Sequence, residues 1–189
     1  MNLENIKLSG LFTDLLKKYI VISPLFYTYQ PDTGMTRGND TITFFINPNE
    51  PRRRQFLDRL EAAGIKSKNV NRIYSGVEAL YRDTRILINI RQTDHHDTLE
   101  EFRVLPALLC GVIVICENAP LKEDCGYSEF ILWSELDDMP ELIKDVQNNY
   151  KKYYDRIFGG VAFMQCVEKL MARNSNSINQ AMNMLGLRT

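Results

Sequence analysis

The sequence predicts an α/β domain with a mainly parallel sheet, covered by helices on both faces and flanked by helical N- and C-terminal extensions. Short runs of β-branched and aliphatic residues alternate along the chain with segments whose apolar residues recur at helical spacing. The middle runs, residues 85–90 (RILINI) and 112–116 (VIVIC), are apolar at nearly every position. Such continuous runs are typical of parallel strands that are buried on both faces. With right-handed crossovers, residues 41–158 are expected to form a single Rossmann-like domain.

The composition is that of one globular domain with appendages. The chain has 189 residues, of which 44% are apolar, and it carries 23 basic against 24 acidic residues. This length supports a sizeable core, whereas the balanced charge is atypical of a protein that binds nucleic acid by electrostatics. No apolar run reaches the roughly 20 residues of a membrane span, and no secretory signal is recognised. The four cysteines form no CxxC pair, so we expect reduced, buried thiols in a cytoplasmic protein.

The N-terminal extension, residues 1–40, is expected to contain one short helix. Leucines and Phe12 recur at helical spacing within residues 8–19. Residues 30–40 are rich in turn-forming residues and predict a loop that leads into the domain.

The first half of the domain is interpreted as two strand–helix units. Residues 41–47 predict the first strand, and a helix with Pro51 in its first turn follows and ends at Gly64. The further expectations here are an Asn47 or Asn49 cap for that helix, a second strand over residues 70–74, and a short helix over residues 76–83 capped by Ser75.

A longer helix, residues 98–111, is expected after the third strand. Thr98 and Glu101 have the spacing of a capping box. Pro106 removes one hydrogen bond inside the helix and should kink it. The predicted buried stripe consists of Leu99, Phe102, Leu105 and Leu109.

The chain then continues to a C-terminal helical tail, residues 159–189, whose helices are expected to pack on the domain or on a second copy. The elements predicted in this part are strands over residues 112–116 and 130–133, a helix over residues 140–158, a joint at Gly159 and Gly160, and tail helices over residues 161–172 and 175–185.

Ligands of such a sheet bind outside the carboxyl ends of the strands. The Walker, GxGxxG and GxSxG motifs are absent, so the common nucleotide and hydrolase fingerprints give no support. The loops that the rule selects are residues 47–54, 75–78, 89–101 and 117–127.

Glu100 and Arg103 are i, i+3 neighbours on the predicted helix, and two interpretations stay open. They can form a surface ion pair worth a few tenths of a kcal/mol. Alternatively, Arg103 binds an anion together with the backbone N–H groups of the helix N-terminus.

His95 and His96, the only histidines, lie between two aspartates on a selected loop. Because adjacent residues point apart and no further His or Cys follows at ligand spacing, no metal is expected. One histidine could act as a general base or as a donor to phosphate, since it titrates near neutrality. The alternative is a solvated loop with a helix cap.

Glu117 and the arginines at residues 52–54 follow predicted strands. Glu117 either hydrogen-bonds a neighbouring loop or accepts from sugar or ribose hydroxyls. The arginines are either a solvated helix face or partners of an anion, because cations oppose the dipole at a helix N-terminus. Arg53 is the candidate among them.

Residues 85–117 contain a strand (ILINI), a polar loop, a helix (EEFRVLPALLCG) and a strand (VIVICE). This order resembles the carboxyl-terminal, donor-binding half of group 1-like GT-B glycosyltransferases, with matches at Asn89, Glu100, Arg103, Gly111 and Glu117. In order of elements the resemblance covers residues 41–158. It departs at Pro106, where that family has a donor-binding Glu, and at residues 94–98, which replace a Gly-rich turn.

The resemblance implies a metal-independent glycosyltransferase that binds a nucleotide sugar and transfers the sugar to a carbohydrate or glycan acceptor, with no other cofactor. Under this interpretation the catalytic residues are His95, His96 and Glu117, and the donor-binding residues are Asn89, Glu100, Arg103 and Arg53. Such enzymes have two domains of this kind, so a homodimer or a partner chain would supply the second. The alternative is a non-catalytic binding or assembly module that retains the donor-binding fold.

Overall fold

The computed structural model describes residue 10 and residues 20–32, 35–73, 75–93 and 98–186. In this part of the chain the strands are β1 (Asn39–Thr43), β2 (Lys68–Asn69), β3 (Thr84–Asn89), β4 (Ile113–Glu117) and β5 (Leu132–Ser134). The helices are α1 (Pro51–Ala62), α2 (Val77–Arg82), α3 (Glu101–Leu109), α4 (Met139–Asn148), α5 (Tyr150–Phe158) and α6 (Ala162–Met184).

The strands form one parallel sheet in the order β2-β1-β3-β4-β5, which confirms the predicted fold class. The chain moves outward from β1 to β2 and then returns to the other side of β1 for β3. A crevice therefore opens between the carboxyl ends of β1 and β3, where ligands bind in open α/β sheets. Residues 86–88 and 113–116 are fully buried, as their continuous apolar character predicts.

The first strand ends earlier than predicted, and the second lies before the predicted segment, because the Asn69 side chain replaces backbone pairing beyond Thr43. Phe45 N donates to Asn69 Oδ1 at 2.8 Å, and Asn69 Nδ2 donates to Phe45 O at 3.1 Å. The ladder thus ends at Thr43, and residues 70–73, the described part of the strand expected over residues 70–74, contain no strand. Arg72 has φ 53°, a left-handed conformation that an extended strand does not allow.

Helix α1 ends as predicted but begins with a different cap. Glu50, and not Asn47 or Asn49, occupies the N-cap and accepts from Arg53 N at 3.2 Å. At the other end, Gly64 has φ 71° and Ile65 N donates to Leu60 O at 2.8 Å, which closes the helix. The N-cap of α2 is Gly76 instead of Ser75.

Helix α3 begins three residues later than predicted. Glu100 is its N-cap residue and makes no side-chain cap, so the capping box of Thr98 and Glu101 is wrong. The carboxylate of Glu101 interacts with Tyr127 and with Arg173. Phe102 is 77% exposed instead of lying in the buried stripe, because only residues 104–109 are covered by the core.

The C-terminal helices differ from the prediction in number. The helix expected over residues 140–158 divides at Asn149 into α4 and α5, whereas the two expected tail helices are one continuous helix, α6. Phe163, Val167 and Leu170 of α6 are buried, so the first half of the tail packs on the domain as expected.

The described part of the N-terminal extension has no helix or strand between residues 20 and 32. It is held by contacts with α6: Ser23 N donates to Asn174 Oδ1 at 2.8 Å, and the Tyr29 ring packs on Phe163. The helix predicted over residues 8–19 lies outside the described residues, apart from Gly10. All four cysteines are unpaired and buried, as predicted. Among the described helices, none combines the length and the apolar character needed to cross a bilayer.

Candidate functional site

The candidate site lies at the carboxyl edge of the sheet, where β1, β3 and β4 end side by side. Arg53 belongs to the first turn of α1, which follows β1. Asn89 and Glu117 are the last residues of β3 and β4. Glu100 and Arg103 lie at the beginning of α3. The fold thus brings to one edge the described residues that the sequence nominated from four separate segments.

Arg53 is 3% exposed, although the sequence placed it in a run of three arginines typical of a solvated face. Its guanidinium carbon lies 4.8 Å from the centre of the Phe45 ring. Among the described residues, none accepts a hydrogen bond from this guanidinium, and its Nε is fully buried. A buried cation without an acceptor is costly, which makes Arg53 a candidate partner for an anion.

The charges around Arg53 leave it close to a second cation. Burial lowers the pKa of Arg53, and the charge of Arg103 lowers it further, while Glu100 and Glu50 oppose the shift. Glu100 Oε2 and Arg103 Nη2 are 3.6 Å apart, so the predicted i, i+3 ion pair exists. Arg103 therefore lies in the first turn of α3, whose N-terminus has no side-chain cap, and Arg53 is close enough for the charge of Arg103 to act on it.

Glu117 is buried between two arginines. Arg91 donates to it from Nε at 2.8 Å, from Nη2 at 2.6 Å and from its backbone N at 3.0 Å. Arg52 Nη1 donates to Oε2 at 2.8 Å, and Arg52 Nη2 donates to Oε1. Burial alone would raise the pKa of Glu117, but these hydrogen bonds hold it below its usual range. The ionised carboxylate ties the start of α1 to the loop that follows β3.

Asn89 adds an acceptor at the same edge. Its side chain is buried, and its Oδ1 receives no hydrogen bond from a described residue. Cys116 is its register partner on β4, and burial raises the pKa of that thiol while the Asn89 amide opposes the shift. Cys116 therefore stays protonated, and Asn89 Oδ1 has capacity to accept from a ligand hydroxyl.

His95 and His96 lie outside the described residues, in the connection between β3 and α3. Their catalytic role stays a prediction. Within the described ranges, no group of three or more His, Cys, Asp or Glu residues could hold a metal ion.

Arg91 was missed by the reasoning from sequence, and Arg52 was considered only within the arginine run. A signal for Arg91 was present: it lies two residues after the end of the apolar strand β3, and Glu117 is the last residue of the apolar strand β4. Because the carboxyl ends of neighbouring parallel strands lie together, opposite charges at these two positions predict an ion pair.

No family model matches the chain. Among curated proteins, it is similar to an uncharacterized protein, R358, of Acanthamoeba polyphaga mimivirus, with 28% identity over 112 residues. The match covers 57% of this chain and 40% of the viral protein, so the chain spans less than half the length of that relative. The name of the relative states no activity, and the function is therefore argued from the site.

Proposed function

We propose that the protein is a glycosyltransferase-type domain that binds a nucleotide-sugar donor at the carboxyl edge of its sheet. The donor diphosphate would lie between Arg53, Arg103 and the N-terminus of α3. One observation carries the proposal: the guanidinium of Arg53 is buried and has no acceptor among the described residues. A diphosphate would supply the missing charge and acceptor oxygens together.

The chemistry of sugar transfer fits this arrangement. The nucleoside diphosphate leaves with negative charge, and fixed positive groups that meet this charge lower the barrier. Two guanidinium groups and a helix N-terminus can do this without a metal ion. His95 or His96 would act at the reacting centre, because the loop that carries them begins beside the site.

The remaining side chains would bind or position the donor. Asn89 Oδ1 would accept from a ribose or sugar hydroxyl, because it is buried and lacks a donor. Both oxygens of Glu117 are engaged by Arg52 and Arg91. We therefore assign Glu117 a positioning role for the loop after β3, in place of the hydroxyl-accepting role expected from the sequence.

A second candidate function is a binding or assembly module without catalysis. The occupied carboxylate of Glu117 favours it, because a group expected at the reacting centre is held by two cations. Donor hydrolysis, or sugar transfer to an added glycan acceptor, would identify the enzyme. Binding of the donor without either reaction, also when a partner domain is supplied, would identify the module.

The first test is a thermal-shift screen with nucleosides, nucleoside mono- and diphosphates, and nucleotide sugars. A ligand at 100 times its Kd stabilises the folded state by about 2.7 kcal/mol, which a melting curve detects. We expect shifts with diphosphates and nucleotide sugars, and none with nucleosides at the same concentration. The absence of any shift with diphosphates would contradict the proposal.

A further inference from the structure

The two carboxylates near the Arg53 guanidinium differ in how they are held. Glu50 caps α1 and accepts from Arg53 N at 3.2 Å, so its place is fixed by the helix. Glu100 caps nothing: its side chain is 47% exposed and approaches Arg103 at 3.6 Å, beyond hydrogen-bond distance. Charge alone therefore keeps Glu100 beside the arginines, and it can turn to solvent without loss of a hydrogen bond.

The charges of these four groups cancel. Arg53 and Arg103 contribute two positive charges, and Glu50 and Glu100 contribute two negative ones. The charge of Arg52 also acts on Arg53, but Arg52 is paired with Glu117, so movement of Glu100 away from Arg103 is what would leave net positive charge for an arriving anion. Only a ligand that attracts the arginines more strongly than Glu100 does gains from entering, and a diphosphate does so because it carries several charged oxygens.

We infer that Glu100 is a specificity-determining residue that competes with the ligand for the anion site, and that ligands with adjacent phosphates displace it. The inference rests on the proposed function, because it needs an anion site at Arg53 and Arg103. It differs from the donor-binding role that the family resemblance implies for Glu100, in which the carboxylate would accept from a ribose or sugar hydroxyl. A competitor acts on any anion, whereas a ribose acceptor acts only on a ligand with a sugar.

Inorganic pyrophosphate separates the two roles, because it has the phosphates and no ribose. The experiment titrates wild type and Glu100→Gln with pyrophosphate and with UDP by calorimetry at constant ionic strength. Asp155→Asn is the matched control. Asp155 forms an ion pair with Lys151, one turn away on α5, so this substitution also removes one carboxylate from an ion pair within a helix. Melting curves without ligand establish that the three proteins are equally folded.

We expect Glu100→Gln to bind pyrophosphate about twofold to fivefold more tightly than wild type, the range that corresponds to an exposed ion pair. Asp155→Asn should bind it as wild type does. If Glu100→Gln binds pyrophosphate no more tightly but loses affinity for UDP, Glu100 is a ribose acceptor and the inference is wrong. If neither protein binds pyrophosphate or UDP, the anion site itself is contradicted, and the proposed function fails with it.

Discussion

The two edges of the sheet each bury an arginine, and the two arginines differ in their partners. At the amino edge, the side chain of Arg37 is 3% exposed and donates to Thr84 O at 2.8 Å and Cys110 O at 2.9 Å, and it pairs with Asp32 at 2.9 Å. At the carboxyl edge, Arg53 is 3% exposed as a whole residue, and its guanidinium donates to none of the described residues. In both, Nε lacks an acceptor within the described ranges, so the difference lies in the terminal nitrogens.

This difference fits a structural role for Arg37 and leaves Arg53 as the candidate for anion binding. Burial of a guanidinium is unfavourable unless acceptors replace water, and Arg37 has such acceptors while Arg53 does not. The chain also makes room for Arg37: a Cβ on Gly111, which has φ 72°, would lie 2.7 Å from its Nη2. The chain thus supplies acceptors for the buried arginine at the amino edge, whereas the described residues at the carboxyl edge supply none for the guanidinium of Arg53.

The largest effect is expected at the amino edge. Arg37→Met removes every hydrogen bond of the guanidinium and leaves the carbonyls of Thr84 and Cys110 without this donor. We expect the free energy of unfolding to fall by about 2–4 kcal/mol, because two buried residues, Thr84 and Cys110, each lose a charged donor to their carbonyl oxygen. Urea denaturation measures it. A loss below ~1 kcal/mol would show that the buried hydrogen bonds of Arg37 contribute little to stability.

Glu117 lies at the carboxyl edge, but like Arg37 it is a buried charged group whose partners lie within the chain. Glu117→Gln should lower the free energy of unfolding by about 1.5–3 kcal/mol at pH 7, because it weakens charged hydrogen bonds from Arg52 and Arg91. The pKa of Glu117 is lowered in the folded state, so its contribution is present above the ordinary pKa of about 4.3. The contribution disappears as the pH falls through the lowered value.

Denaturation curves between pH 7 and pH 3 check both statements. The stability difference between wild type and Glu117→Gln should shrink below about pH 4.3. Glu123→Gln, at an exposed position, is the control and should follow wild type throughout. A difference that is constant with pH would contradict the ionised, clamped carboxylate.

Arg103 should affect binding and leave stability nearly unchanged. Arg103→Ala removes a charge-assisted contact to the diphosphate, so the affinity for nucleoside diphosphates should fall about tenfold to a hundredfold. Arg103→Lys should recover only part, because an ammonium cannot hold two oxygens in a fork. The free energy of unfolding should change by less than ~1 kcal/mol, since the ion pair with Glu100 is weak. Calorimetric titration beside melting curves distinguishes the two effects, and unchanged affinity would remove Arg103 from the site.

The smallest effect concerns the thiols. Burial raises the pKa of the Cys110 thiol to about 12, and it also raises the pKa of the Cys116 thiol. Iodoacetamide at pH 8 should therefore label neither in folded wild type or in Arg53→Met, whereas Arg37→Met should expose Cys110 to labelling through more frequent unfolding. Mass spectrometry of the labelled peptides provides the measurement. Equal labelling of Cys110 in all three proteins would contradict the structural role of Arg37.

The central strands could be predicted from sequence because burial on both faces leaves a local signature. The boundaries of β1 and α3 could not, since they depend on contacts between distant residues. Asn69 replaces the ladder beyond Thr43 by binding Phe45, and the Glu101 carboxylate hydrogen-bonds Tyr127 in place of the cap that its spacing suggests. Neither contact is visible in the residues next to those boundaries.

The site was predictable at the level of loops but not of side chains. The rule for parallel sheets selects the segments that contain Arg53, Asn89, Glu100 and Glu117. The rule does not determine that the Arg52 side chain donates to Glu117, whereas the guanidinium of its neighbour Arg53 packs on the Phe45 ring. Those orientations follow from the rotation of about 100° per residue along α1 and from the groups that the fold places on each side.

The substitution Arg53→Met tests whether Arg53 binds the anion or only stabilises the fold. Arg54→Met is the control, because Arg54 is the next residue and pairs with Asp58 on the solvent side. Met fills the buried volume and keeps a contact with the Phe45 ring. Urea denaturation without ligand and titration with a nucleoside diphosphate are measured on both variants. We expect Arg53→Met to be at least as stable as wild type and to bind at least tenfold more weakly, and Arg54→Met to match wild type. Lower stability with unchanged affinity would show that Arg53 is a structural residue and would contradict an anion site at Arg53.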